Sequence, residues 1–214
     1  MYRLESMCTY GVIRLVYKRI RIFSDEELKF IFDLYNFQEP RFCVRYVNLA
    51  NVHRRDVPPY FKNNSACWSN IVEKLEQNAG NDLSARSIYF LKYIPKSFTS
   101  LHVDNPSTTL RTAVTLLEAS EDLQGGEILI QRKAAEQDFY NADDPIGGNS
   151  KKIFTPTSIQ DMIIPEIVRQ KVGETIFYDQ SLLHGVTRVE RGHRLVLITW
   201  FKQNENNQIQ KEAV

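Results

Sequence analysis

SLHVDNPSTTLRT, residues 100–112, decides how this chain of 214 residues is read. Side chains alternate from one face of a strand to the other. In a strand running to residue 104, His102 and Asp104 therefore share a face and Val103 turns away. Both cost desolvation on a packed face unless something binds them. An imidazole and a carboxylate so placed supply two of the three ligands of a facial triad, the 2-His-1-carboxylate arrangement that leaves positions open on a non-haem Fe(II). By itself the pair suits equally a surface salt bridge, or an aspartate capping the turn at Asn105-Pro106.

Outward from this stretch, the chain from residue 86 onward reads as short β-rich runs. Strands are expected at SIYFLKYI (87–94), FTSLHVD (98–104), RTAVTLLE (111–118), EILIQ (127–131), IIPEIVR (163–169), ETIFYD (174–179) and RLVLITWF (194–201). Pro95, Asn105-Pro106, Gly125-Gly126, Gly173, Gly185 and Gly192 punctuate them. Earlier in the chain, Val12 to Phe23 reads as a strand. Ser24-Asp25-Glu26-Glu27 is a capping box, and Leu28, Ile31, Phe32 and Tyr35 follow it at helical spacing. A second helix is expected from about Ala66 to Asn78, with Trp68, Ile71, Val72 and Leu75 facing inward and Gly80 near its end. Many short strands after a helical segment predict a mainly β chain with flanking helices (α+β), built as a sandwich or a barrel-like jelly roll. The interval Arg132 to Gln160 lacks a strong period and suits a lid over a substrate, a binding loop, disorder or a plain surface insertion.

Composition narrows the classes. Hydrophobic residues make up 43%, with Phe 12 and Tyr 10, which supports a full core and argues against disorder for the bulk of the chain. A net charge of +1 leaves no electrostatic footprint for nucleic acid or a membrane surface. The basic run Tyr17-Lys-Arg-Ile-Arg21 is interleaved with apolar residues and reads as the wet face of a strand. Cys8, Cys43 and Cys67 are scattered, with no CxxC and no secretory h-region, so a reducing compartment is expected, with the cytoplasm as the default. The first residues are broken by charge too often for a signal peptide or a membrane span.

A third ligand has three candidates besides His102. His53 lies in the polar stretch NVHRRD, which reads as an exposed loop, and His193 adjoins Arg194 where a strand begins. His184 follows the apolar run IFYDQSLL and precedes Gly185-Val186, which makes it the best candidate, although a satisfied core histidine fits the same pattern. An oxidising Fe(II) site also needs electrons. 2-Oxoglutarate supplies them and carries a distal carboxylate that must be neutralised, a task suited to the planar fork of an arginine. Arg194 shares a face with Val196, Ile198 and Trp200, where a charge is costly unless paired. Arg111 and Lys92 are its rivals for the role.

The ordered set Tyr93, His102-Val-Asp104, Arg111, Gly125-Gly-Glu127, Gly173, His184-Gly-Val, Val189, Gly192-His-Arg194 and Trp200 resembles the prolyl 4-hydroxylase-like branch of the Fe(II)/2-oxoglutarate-dependent dioxygenases, over roughly residues 86 to 202. The resemblance implies a double-stranded β-helix (jelly-roll) barrel at 86–202, packed on a support region at 1–85 and followed by a polar tail at 203–214. It implies His102, Asp104 and His184 as iron ligands and Arg194 as the partner of the distal carboxylate. Tyr93 matches a pocket-lining tyrosine that often precedes the HxD motif; a core aromatic at that position reads the same. The implied cofactors are Fe(II), 2-oxoglutarate and O2, with ascorbate as a candidate reductant. Two departures weaken any inference to a prolyl substrate. Leu117-Glu118-Ala119 replaces the family's usual Tyr-Leu-Asn, and Ile128-Leu-Ile follows Gly125-Gly-Glu where Thr and an aromatic are common. An aspartate at 104 argues against the halogenating relatives, which keep a small residue there.

The resulting expectation is a hydroxylase of unactivated C–H bonds acting on a prolyl or other residue of a peptide or protein. A free amino acid or small metabolite is the alternative substrate. A non-catalytic β-barrel binding module and a 2-oxoglutarate sensor without turnover are the alternatives of other classes. Neither nucleic acid nor membrane is expected as a partner.

Overall fold

Ser24 starts the first helix by exchanging bonds with Glu27: the Glu27 N–H donates to Ser24 Oγ (3.2 Å), and the Ser24 N–H donates to Glu27 Oε2 (2.8 Å). The anticipated capping box is formed, and Ile31, Leu34 and Tyr35 on one stripe of this helix are buried. The second helix is capped by Ser65, whose side chain accepts from the Trp68 N–H, and buries Trp68, Ile71, Leu75 and Ala79. The computed structural model describes residues 17–36, 41–42, 49–57, 65–131, 139–142, 151–154 and 165–204. Its elements are β1 (Tyr17–Ile20), α1 (Asp25–Asn36), β2 (Arg41–Phe42), β3 (Leu49–Asp56), α2 (Ala66–Ala79), β4 (Leu83–His102), β5 (Arg111–Ala119) and β6 (Ile128–Gln131). They continue with β7 (Phe139–Ala142), β8 (Lys151–Phe154), β9 (Glu166–Val168), β10 (Thr175–Asp179), β11 (Leu183–Val186) and β12 (Arg194–Gln203).

All the strand pairs are antiparallel, and they run in the order β1-β10-β5-β12-β4-β11-β6-β9. β4 belongs to two faces of this arrangement. Its first part, Leu83 to Tyr93, pairs with β12, whereas Thr99 and His102 pair with β11. The expectation of two strands separated at Pro95 is corrected accordingly: one strand bends there. Lys96 takes φ 74°, the Ile94 N–H donates to Ser97 Oγ (2.9 Å), and the Val189 N–H donates to Ser97 O (2.8 Å). The proline therefore marks a corner in a continuous ribbon. The result is a mostly antiparallel half-barrel of the double-stranded β-helix type, with both helices packed on one side.

Alternation along the central strands divides the core in two. Ile88 and Phe90 of β4, Leu195 and Leu197 of β12 and Phe177 of β10 pack with α1 and α2. Tyr89, Leu91 and Tyr93, Val196 and Ile198, and Ile176 and Tyr178 form the interior cluster on the opposite face. Both faces being buried explains why RLVLITWF reads as a continuous apolar run.

Three expectations need correction. NVHRRD is strand β3, paired with β4 along His53↔Lys92 and Arg54↔Leu91. Its arginines lay their stems and planar heads over rings, Arg54 over Tyr89 (4.1 Å) and Arg55 over Tyr35 (3.9 Å), so a polar string covers apolar surface. LHGV, expected as the end of the buried strand that runs through IFYDQSLL, is a separate strand, β11, inserted between β4 and β6. The interval from Arg132 to Gln160 contains the antiparallel pair β7–β8, and β8 joins β4 at His102↔Ile153. The rest of that interval, the expected strand at 12–16, the first residues of the run at 163–169 and the tail from 205 onward lie outside the described residues. Among the described residues, no helix is long and apolar enough to cross a membrane.

Candidate active site

β4 and β11 place His102 and His184 directly opposite each other. Gly185 allows that approach, because a Cβ there would meet Thr99 O at 2.7 Å. The two imidazoles lie with ring centroids 4.3 Å apart, and Tyr178 packs on the second at 4.6 Å. Each histidine is oriented by a carbonyl two residues earlier: His102 Nδ1 lies 2.9 Å from Ser100 O, and His184 Nδ1 lies 2.9 Å from Leu182 O. A carbonyl can only accept, so Nδ1 is the donor in both rings and Nε2 is the nitrogen turned toward Asp104.

Asp104 completes the group from an unexpected position. β4 ends at His102, so Asp104 lies in the connection beyond the strand and not on its pleated face. What aims the carboxylate is Thr112 on β5, whose hydroxyl donates to Asp104 Oδ2 at 2.6 Å. Asp104 Oδ1 is 3.9 Å from His102 Nε2, and Oδ2 is 3.8 Å from His184 Nε2. All three residues are buried, and one ligand atom of each lies within 4.8 Å of the others.

This donor set fits a divalent metal. The separations exceed hydrogen-bond reach and lie within the roughly 4 Å that two ligands at about 2 Å from one ion can span. Both histidines have the carbonyl partner on the far nitrogen that metal-binding imidazoles use. A carboxylate only 3% exposed, with Thr112 its one hydrogen-bond donor among the described residues, is costly to bury without a cation.

The three residues line a cavity inside the barrel. Along β12 it runs from Arg194, opposite Tyr93 and Ala119, to Trp200, opposite Ser87 and Thr112. Six residues of strand separate those ends by roughly 20 Å. Trp200 meets Tyr89 edge to face at 5.5 Å, giving the end beside Asp104 an aromatic wall.

Arg194 is 3% exposed. Its Nη1 donates to Gly126 O and its Nη2 to Gln170 Oε1 (3.0 Å), and its head lies 5.6 Å from the Tyr93 ring. Its Nε finds no acceptor, and among the described residues no carboxylate comes within ion-pair distance. Burial pulls the guanidinium below its ordinary value, against Tyr93 and Glu127, which favour its charge. Gly126 takes φ +76°, and a Cβ there would lie 3.0 Å from Arg194 Cδ. Tyr93 is buried with its hydroxyl 2.9 Å from Thr99 Oγ1, and burial pushes its phenol up.

The remaining candidates fall elsewhere. Arg111 pairs with Asp179 (2.8 and 3.0 Å) at the surface, and Lys92 alternates with the cavity-lining Leu91 and Tyr93 on the other face. His53 faces Lys92 across β3 and β4, and His193 lies 3.2 Å from Glu118 Oε2 without hydrogen-bond alignment. Sequence reading missed Thr112, Thr99 and Gln170. The first was accessible, since Thr112 alternates with Val114 and Leu116 on the inner face of β5; nothing in the sequence marks Gln170.

The double-stranded β-helix is shared with solved structures of 2-oxoglutarate–Fe(II) oxygenases. A 2-oxoglutarate–Fe(II) oxygenase-family oxidoreductase from Burkholderia pseudomallei superposes with TM-score 0.60 at 14% identity, covering 88% of this chain and 86% of that one. A prolyl-4-hydroxylase from Pseudomonas putida gives 0.58 at 14% identity, covering 88% and 93%. HygX from Streptomyces hygroscopicus, solved with nickel, 2-oxoglutarate and hygromycin B, gives 0.61 at 13% identity, covering 89% and 84%. No family model matches the chain, and no curated protein matches it by sequence.

Proposed function

We propose that this protein is an Fe(II)- and 2-oxoglutarate-dependent dioxygenase that hydroxylates an unactivated C–H bond. The observation that carries the reading is the convergence of His102, Asp104 and His184 in a cavity whose far end holds a buried arginine without a carboxylate. His102, Asp104 and His184 hold the iron, and Thr112 fixes the carboxylate. The Arg194 fork accepts the distal carboxylate of 2-oxoglutarate, with Tyr93 and Thr99 lining the pocket beside it. Bound iron supplies the oxidation, using O2 and the electrons released as 2-oxoglutarate becomes succinate and CO2. Val196 and Ile198 between the two ends, and Tyr89 and Trp200 at the other, exclude water and orient the substrate C–H.

The favoured substrate is a prolyl or other residue of a peptide or protein, as for the prolyl-4-hydroxylases among the similar folds. A small-molecule substrate is the second reading. HygX, among the similar folds, is seen with hygromycin B. The test is incubation with Fe(II), ascorbate and 2-oxoglutarate against peptide and amino-acid libraries, following succinate and products heavier by one oxygen atom. Succinate formation that disappears in His102→Ala and His184→Ala proteins is the expected result. Iron binding with no succinate under any substrate would instead leave a sensor.

A further inference from the structure

Arg194 is the one residue that lines both of two cavities. The front cavity holds the two histidines; the other, here the rear one, is lined by Gln124, Glu127, Arg169 and Gln170. A flexible cation between two open spaces is not aimed by its own stem. The Glu127 carboxylate, on the rear side, favours its charge and attracts it. Something on the chain must therefore tie down the rear edge of the guanidinium, so that its remaining hydrogens face the front.

Gln170 has the geometry for this. Its Nε2 donates to Val114 O (2.9 Å) and Glu174 O (3.2 Å). Both acceptors are backbone carbonyls, so the amide has one permitted orientation and its oxygen must face Arg194 Nη2. The turn that carries it is rigid. Lys171 N–H donates to Glu174 Oε2 (2.6 Å), and two backbone bonds, Gly173 N–H to Leu116 O (2.8 Å) and Leu116 N–H to Glu174 O (3.0 Å), dock the turn on β5. Gln170 and Gly126 take one hydrogen each of the five that a guanidinium offers, leaving three, the Nε–H among them, for an incoming carboxylate. Glu127 is meanwhile occupied by the Thr187 hydroxyl (2.5 Å) and by Arg169 (3.5 Å).

We infer that Gln170 is a positioning residue for the cosubstrate: its locked amide orients the Arg194 fork into the front cavity and thereby sets the affinity for 2-oxo acids bearing a distal carboxylate. This rests on the assignment of Arg194 to that carboxylate. The test is calorimetric binding to anaerobic Fe(II)-loaded protein, comparing 2-oxoglutarate with 2-oxobutyrate, which lacks the distal carboxylate. Gln170→Met weakens 2-oxoglutarate by roughly ten- to a hundredfold, the effect of losing a hydrogen bond to a charged group, and leaves 2-oxobutyrate unchanged. Equal losses for both acids, or none for either, overturn the inference. If the parent protein binds 2-oxoglutarate no better than 2-oxobutyrate, the cosubstrate reading itself falls. If Arg194→Ala loses 2-oxoglutarate while Gln170→Met does not, only the positioning role falls. Should the methionine variant not fold, a crystal structure of the parent protein with 2-oxoglutarate decides: Gln170 still bonded to Arg194 supports the inference, and Gln170 turned away from it overturns it.

Discussion

Asp104 owes its direction to a threonine from another strand, and that dependence can be measured. Thr112→Val keeps the shape and removes the 2.6 Å donor. Loss of such an outer partner costs roughly 10–100-fold in metal affinity, so Fe(II) or Ni(II) titration of the variant should show weaker binding with little change in thermal unfolding. Unchanged affinity would mean the carboxylate is held by the histidines alone. At the other end of the cavity, Arg194→Ala should leave metal binding intact and weaken 2-oxoglutarate. Losing a hydrogen-bonded charge in a desolvated site costs on the order of 2–5 kcal/mol, a factor of tens to thousands in affinity. The residues of the candidate centre were legible because histidine is rare in this chain and the strand pattern limits which ones face inward. Asp104 does not share a strand face with His102 as alternation suggested, because β4 ends at His102 and alternation does not apply beyond it. Thr112 and Gln170 act through partners far away in sequence, and no local pattern encodes that.

Between elements, β11 approaches β4 closely at Gly185. Gly185→Ala forces a methyl against Thr99 O, and since both atoms are fixed to backbone the strands must separate. Overpacking of this kind costs about 1–3 kcal/mol. Denaturant unfolding should show that loss together with weakened metal binding, because His184 moves with the strand. Normal stability and normal metal binding would show that the strands can yield without disturbing the histidines. The helices offer a second test. Glu27 of α1 is reached by Lys74 (2.7 and 2.8 Å) and Asn70 (2.9 Å) of α2. Burial pushes the Glu27 carboxyl up, but Lys74 and the Ser24 N–H outweigh it and hold it below its ordinary 4.5. A depressed folded-state value adds stability that is fully present above about pH 4.5 and is lost as the pH falls through the lower folded value. Glu27→Gln should therefore flatten the acid side of the stability profile, and an unchanged profile would remove Glu27 from the linkage. Capping and amphipathic spacing made both helices readable in advance. β3 was not, because its charges cover aromatic rings and look like solvated loop, and β4 was split because a proline at a corner looks the same in sequence as a proline at an end.

Across the whole molecule, most neighbouring strand pairs are distant in the chain: β1 lies beside β10, β5 beside β12, and β4 beside both β11 and β12. Sequence patterning located most strands but could not supply this order, which depends on which faces need covering and not on any local run. The half-barrel in turn accounts for the two-sided core, helices outside and cavity within. It also brings His102 and His184 together only when β11 has docked on β4, late in the path of the chain. That order has a kinetic meaning. Topologies dominated by remote pairings fold in roughly milliseconds to seconds, and a ligand set completed only by the remote His184 offers an ion no more than the His102–Asp104 pair beforehand. Stopped-flow refolding with and without Ni(II) should accordingly give the same folding rate and a slower unfolding rate in the presence of the ion. The metal would then act as a latch that closes on a finished barrel, and the lifetime of the native state, more than the speed of reaching it, would depend on its supply.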